Sequence, residues 1–179
     1  NNFFNNSYIN NGNRSFTMKH ITQWIGSGGQ CSVFRDSSSG HIAIISGTSG
    51  YAQVPGYEGV IQVFDKDFNL LTISGLPGSE NPNNATTTIH DIVNIINTDL
   101  NGDGLIDMVL TDNNTDTNNG TFVALINQGN FTFSNQTSTY FPNQGNNLYF
   151  QYFTRTLTYN NTPLIFASTV NANWSFSSL

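Results

Sequence analysis

Asp99-Leu100-Asn101-Gly102-Asp103-Gly104-Leu105-Ile106-Asp107-Met108-Val109-Leu110 is the stretch whose reading decides the fold. A hard divalent cation such as calcium takes six to eight oxygens at roughly 2.3–2.6 Å, and a tight loop supplies them from alternate positions. Asp99, Asn101, Asp103 and Asp107 stand at loop positions one, three, five and nine, and the Leu105 carbonyl is available at position seven. Gly102 and Gly104 carry no Cβ, so they accept the positive φ that curls a backbone round an ion. With the ion removed, three carboxylates crowd one another, and the loop is expected to loosen.

The same ligands begin an EF-hand, which also requires a bidentate Glu at position twelve and a helix on each side. Position twelve here is Leu110, and the apolar run from Leu105 has strand length and ends at Thr111-Asp112. Upstream, Ile92-Val93-Asn94-Ile95-Ile96 is rich in β-branched residues. Strand, loop, strand is therefore the expected context.

The stretch DLNGDGLID over 99–107, followed by Gly120-Thr121-Phe122-Val123-Ala124-Leu125-Ile126-Asn127-Gln128-Gly129-Asn130-Phe131, resembles the FG-GAP and VCBS repeats of integrin α-chain β-propellers and of many bacterial and protist surface proteins. The resemblance implies that the calcium loop joins the first two strands of a blade. It also implies that the later segment is the third strand with its turn into the fourth.

Only 9% of the 179 residues are charged, and Asn, Ser, Thr and Gly are abundant, a profile that suits an extracellular all-β protein. The formal net charge is -6, and the basic residues Arg14, Lys19, Arg35, Lys66 and Arg155 are scattered. No basic patch exists to neutralise phosphates, which argues against a nucleic-acid partner. No apolar run reaches the roughly 18 residues of a membrane span, and no signal peptide is visible. The chain starts at Asn1 without a methionine and stops at Leu179, so a processed product or a segment of something longer is expected. Cys31 has no second cysteine for an internal disulfide; its neighbours suit a small buried strand residue, with an intermolecular bridge as the alternative.

Repeats extend the reading to the whole chain. Ile126-Asn127-Gln128-Gly129-Asn130 has an earlier relative in Ile9-Asn10-Asn11-Gly12-Asn13, at an offset of 117 (129 − 12). The intermediate step is Gly59 to Phe68, offset from Gly120 by 61 (120 − 59). Asp36 to Ile45 and Asn160 to Ser168 likewise parallel Asp99 to Leu110. The expected fold is all-β, with β-propeller-like blades of four antiparallel strands in an incomplete ring or an arc of a larger propeller. A single segment over 1–179 divides into a partial blade 1–26, a blade 27–77, a blade 88–141 with the calcium loop and a partial blade 148–179. The partial ends could also combine by a strand swap, or the stack could be completed by neighbouring subunits. The corresponding hairpins Asp36 to Gly40 and Tyr159 to Pro163 lack most or all of the carboxylates, so one strong metal site is expected.

Other candidates are weaker. The polar run Asp112 to Asn119 has oxygen side chains at alternate positions but no internal glycine, and reads as an inter-strand turn or a second, weak metal loop. Glycosylation sequons occur at Asn5, Asn13, Asn84, Asn113, Asn119, Asn130, Asn135, Asn160 and Asn173. Asn13 and Asn130 share one hairpin position in two repeats. His20, His41 and His90 stand alone, and no nucleophile elbow, phosphate-cradling loop or zinc set appears, so no catalytic residue is assigned. Core packing accounts for Phe34, Phe64, Phe122 and Phe166, while Tyr51, Tyr57, Tyr140, Tyr159 and Trp174 lie nearer turns, on a blade rim or a partner surface.

The expected function is a calcium-stabilised adhesion or surface-structural module without catalysis. It would act outside the cell or at its surface, on a protein or carbohydrate partner, with self-association possible. The alternatives are a self-assembling glycosylated filament subunit and the propeller module of a secreted carbohydrate-active enzyme. The scattered basic residues disfavour the enzyme.

Overall fold

The computed structural model describes residues 5–21, 31–35, 42–47, 61–65, 67, 69–71, 92–114, 119–130, 132–144, 148–159, 162–171 and 176–177. They form strands in four antiparallel sheets, so the all-β expectation holds. β1 (Asn5–Asn10) and β2 (Phe16–Ile21) pair as a hairpin. β3 (Cys31–Arg35), β4 (Ile42–Gly47), β5 (Ile61–Phe64) and β6 (Leu70–Leu71) form a four-stranded meander in chain order. A second meander of four comprises β7 (Ile92–Thr98), β8 (Asp107–Asn114), β9 (Asn119–Asn127) and β10 (Phe133–Asn135). A single helical turn, α1 (Thr137–Tyr140), follows it. The last sheet orders β11 (Leu148–Tyr159), β12 (Thr162–Asn171) and β13 (Phe176–Ser177).

The core lies where the two meanders meet. Ile61 and Val63 from β5 pack with Ile92, Ile95, Met108, Leu110, Val123, Leu125 and Phe133 from the second meander. Cross-strand pairs build this face, with Met108 opposite Leu125 and Leu110 opposite both Val123 and Ile95. β8 is buried on both sides from Asp107 to Asn113, which explains an apolar run without alternation. β7 runs close to β3, β4 and β11. The Asn97 amide donates to Ser32 Oγ at 2.5 Å, tying β7 to β3.

The repeated Asn-x-Gly-Asn segments fold alike. Gly12 donates its N–H to Asn10 Oδ1 at 2.9 Å, and Gly129 to Asn127 Oδ1 at the same distance. Each turn then closes through Ser15 N–H to the Gly12 carbonyl or Thr132 N–H to the Gly129 carbonyl, both 3.0 Å. φ is +76° and +87° at the glycines, and +52° and +50° at Asn13 and Asn130, in the left-handed region that Gly and Asn tolerate. A third turn uses the same device, with the Asp65 carboxylate accepting the N–H of Asp67 at 2.8 Å and of Asn69 at 2.9 Å. Lys19 Nζ on β2 donates to the Asp67 carbonyl, fastening the first hairpin to this turn.

Three expectations need correction. β8 does not end at Thr111-Asp112 but continues to Asn114, because Asp112 and Asn113 pair with Thr121 and Gly120. Both are 2% exposed, so the run from Asp112 opens as buried strand rather than loop; residues 115–118 lie outside the described residues. Pro163 belongs to β12, opposite Thr158, because the hairpin already closes at the pair Tyr159 and Thr162. Phe122 is half-buried and stacks on Phe141, ring centroids 4.9 Å apart, at the periphery of the core that holds Phe64. The side chains of Phe34, Phe166 and Tyr159 lie outside the described residues, as do Tyr51, Tyr57 and Trp174 altogether.

Beyond β10 this side of β9 is bonded by side chains and one main-chain N–H. Ala124 N–H donates to Thr137 Oγ1 at 3.0 Å, and its carbonyl accepts Gln136 N–H at 2.9 Å. The Gln144 amide then meets Phe122 twice, accepting its N–H at 2.5 Å and donating to its carbonyl at 2.9 Å.

Candidate metal centre

The loop between β7 and β8 is built by its own carboxylates. Gly102 and Gly104 take φ of +81° and +85°, with open space where a Cβ would stand. Their N–H groups turn inward onto Asp99, at 2.7 Å to Oδ1 and 2.9 Å to Oδ2. Asp103 N–H reaches Asn101 Oδ1 at 3.0 Å, and Leu105 N–H reaches Asp103 Oδ1 at 2.8 Å. The Asn101 amide donates to Asp103 Oδ2 at 2.8 Å. The positive φ values are thus the condition for folding backbone donors round acidic side chains.

Asp107 closes the loop from the strand side. Its carboxylate is fully buried and accepts Leu100 N–H at 2.7 Å and Asn127 N–H at 2.8 Å. Burial pushes this carboxyl above its ordinary value, the two main-chain N–H groups pull it down, and the negative charges of Asp103 and Asp99 push it up again. Asp107 therefore feels the negative charge of both Asp103 and Asp99.

Asn127 was legible in the sequence only as part of a repeated turn, and its role here is larger. It is fully buried, its amide donates to the Ile106 carbonyl at 3.2 Å, and its Oδ1 shapes the β9–β10 turn through Gly129. It links the loop to the neighbouring hairpin.

The donor set offered by Asp99, Asn101, Asp103, the Leu105 carbonyl and Asp107 is all oxygen, which suits a hard cation over zinc or copper. Each carboxylate oxygen has two acceptor sites, so one N–H bond leaves capacity for an ion. As placed, the side chains are drawn to the backbone, and no three Asp, Glu, His or Cys among the described residues are gathered as an ion-holding group.

The sequons are placed unequally. Asn13 and Asn130 are exposed on equivalent turns, and Asn135 is exposed with its Oδ1 accepting the Thr137 N–H at 3.1 Å and hydroxyl at 2.7 Å. Asn113 is buried in β8, where a glycan has no room. Asn5 and Asn119 are described in backbone only, and Asn84, Asn160 and Asn173 lie outside the described residues, with His41 and His90. No helix among the described residues is long and apolar enough to cross a membrane. Compared with known proteins, the chain matches no family model, no curated protein and no solved structure.

Proposed function

We propose that this chain is an extracellular, calcium-stabilised module of the FG-GAP/VCBS kind, its four-stranded sheets being blades of a β-propeller. It serves adhesion or surface structure without catalysis, and meets a protein or carbohydrate at a cell surface. The observation that carries the reading is the loop at 99–107. Five oxygen-bearing positions alternate around two left-handed glycines, and the loop joins the first two strands of a four-stranded meander.

Calcium, when bound, neutralises the three carboxylates and cross-links the loop through oxygen. The chain's own part is to hold Asp107 at the head of β8, to aim the Gly102 and Gly104 amides at Asp99, and to keep Asp103 at the exposed tip. The sparse charge elsewhere leaves a neutral, polar surface, on which Asn13 and Asn130 are the foremost glycan sites.

Titration calorimetry with calcium on the wild type and on Asp103→Ala, alongside thermal melts in calcium and in chelator, tests the reading. One ion bound, a raised melting temperature and loss of both in the variant are expected. Absence of binding by the wild type sinks the metal assignment.

A further inference from the structure

The hairpins β1–β2 and β9–β10 share one geometry at an offset of 117 residues, yet only one is covered. Leu125 and Phe133 are 0% and 4% exposed, while their equivalents Tyr8 (125 − 117) and Phe16 (133 − 117) are 66% and 62% exposed. Met18, paired with Tyr8 on the same face, is 58% exposed. The difference is the neighbourhood: β8 bonds along β9 and brings Met108 opposite Leu125, and Ile61 and Val63 of β5 belong to the same core cluster as Leu125 and Phe133. Among the described residues β1 pairs with β2 alone.

The missing neighbour has a counterpart in β12. The β11–β12 hairpin closes at Tyr159 and Thr162 as β7–β8 closes at Thr98 and Asp107. Counting from those closures, Leu164 stands where Val109 stands, and Thr169 where Asn114 stands. The pair Thr169 and Ser177 then matches Asn114 and Asn119, so β13 is the opening of a third strand equivalent to the opening of β9. β1 is equivalent to the rest of β9, residues 122–127. Among the described residues β13 leaves Thr162 to Ser168 of β12 unpaired on that side, room for the six residues of β1. Neither edge carries a charged residue, one of the usual guards against strand addition; a second guard, proline, stands only at Pro163, near the start of β12.

Placing β1 on β12 of its own chain would give three four-stranded units, whereas rings of such sheets hold roughly four to eight. Two copies give six. We propose that two copies of this chain exchange these elements reciprocally in a closed dimer. β1–β2 of each completes β11–β12–β13 of the other, β13 and β1 lie end to end as one third strand, and Tyr8 and Phe16 are covered. This rests on the blade reading of the sheets but not on calcium. The register follows from Val109 opposite Ala124, which sets Leu164 of one copy opposite Ser7 (124 − 117) of the second.

Sedimentation over a range of concentrations is expected to show a species of twice the 19.7 kDa chain mass. Tyr8→Lys with Phe16→Lys, both exposed within one chain, is expected to raise the dissociation midpoint by about tenfold or more, since a buried ammonium opposes closure, without altering the calcium titration. In a Cys31→Ser background, a chain with Ser7→Cys mixed with one carrying Leu164→Cys is expected to yield a covalent heterodimer on oxidation. A wild type that stays monomeric, a species that grows beyond the dimer, or a single chain carrying both Ser7→Cys and Leu164→Cys that forms its disulfide internally each overturns the proposal. Dimerisation without calcium binding refutes the metal reading alone, and calcium binding without dimerisation refutes the exchange alone.

Discussion

Asp107 accepts the main-chain N–H of Asn127 at 2.8 Å across the β8–β9 ladder, in a site from which water is excluded at both residues. This bond makes the loop and the β9–β10 hairpin one unit. It also means that the last candidate ligand is held by the fold rather than by the loop.

Asp107→Ala orphans the N–H groups of both Asn127 and Leu100. The expected loss is about 2–4 kcal/mol of unfolding free energy in chelator, because a buried unsatisfied donor costs roughly 1–3 kcal/mol. Urea denaturation of the two proteins measures it. A loss under about 0.5 kcal/mol, the size of an ordinary surface change, would mean that these bonds contribute nothing net.

The pH dependence of the same residue has a definite sign. Its folded-state carboxyl lies above its ordinary value of 3.8, so between that value and the raised one the folded protein holds more protons than the unfolded chain. Stability from this group is therefore fully present below the ordinary value and declines as pH rises through the folded one. In chelator, the stability of the wild type relative to Asp107→Asn is expected to fall as pH rises from about 4 toward neutrality. With saturating calcium the trend is expected to reverse, since the ion takes the ionised form. Melting curves at matched ionic strength decide the matter.

Gly102 sits at φ +81° with nothing near a Cβ, so the cost of a side chain there is purely conformational. Gly102→Ala is expected to lose about 1 kcal/mol and Gly102→Asn less, because Asn visits the left-handed region more readily. Equal losses in equilibrium unfolding would point to a steric cause instead.

Two asparagines with one local job provide a burial test. Asn10 and Asn127 each accept an N–H two residues on, but Asn10 is exposed and Asn127 is fully buried. Asn10→Ala is expected to cost about 0.5 kcal/mol, and Asn127→Ala about 2–3 kcal/mol because the Ile106 carbonyl also loses its donor. Paired denaturation curves show whether the ranking holds.

Much of the sheet order was legible in the sequence because it is written in short signals. The Asn-x-Gly-Asn turns announce two hairpins through the conformations that Gly and Asn accept cheaply, and the apolar run from Leu105 announces a central strand, which begins at Asp107. The polar end of β8 was not legible. Asp112 and Asn113 read as loop by residue type, and only their pairing with Thr121 and Gly120 makes them strand. Nor was α1, whose four residues carry no periodic pattern and depend on Gln136 and Thr137 bonding to Ala124. The loop residues Asp99 to Asp107 were legible as a group. The part of Asn127 was not, because a contact 20 residues away leaves no local trace.

Gln144 lends Phe122 an acceptor and a donor in the arrangement of one more peptide unit. A borrowed amide is a terminator: it answers the backbone without offering a continuing row of its own for another strand to read. The second meander is thereby finished at that border, whereas among the described residues β1 and residues 162–168 of β12 each have one side with no partner strand. Growth of this molecule by strand addition is thus directional, and a chain with Gln144→Ala should gain a sticky border where the native protein has an inert one.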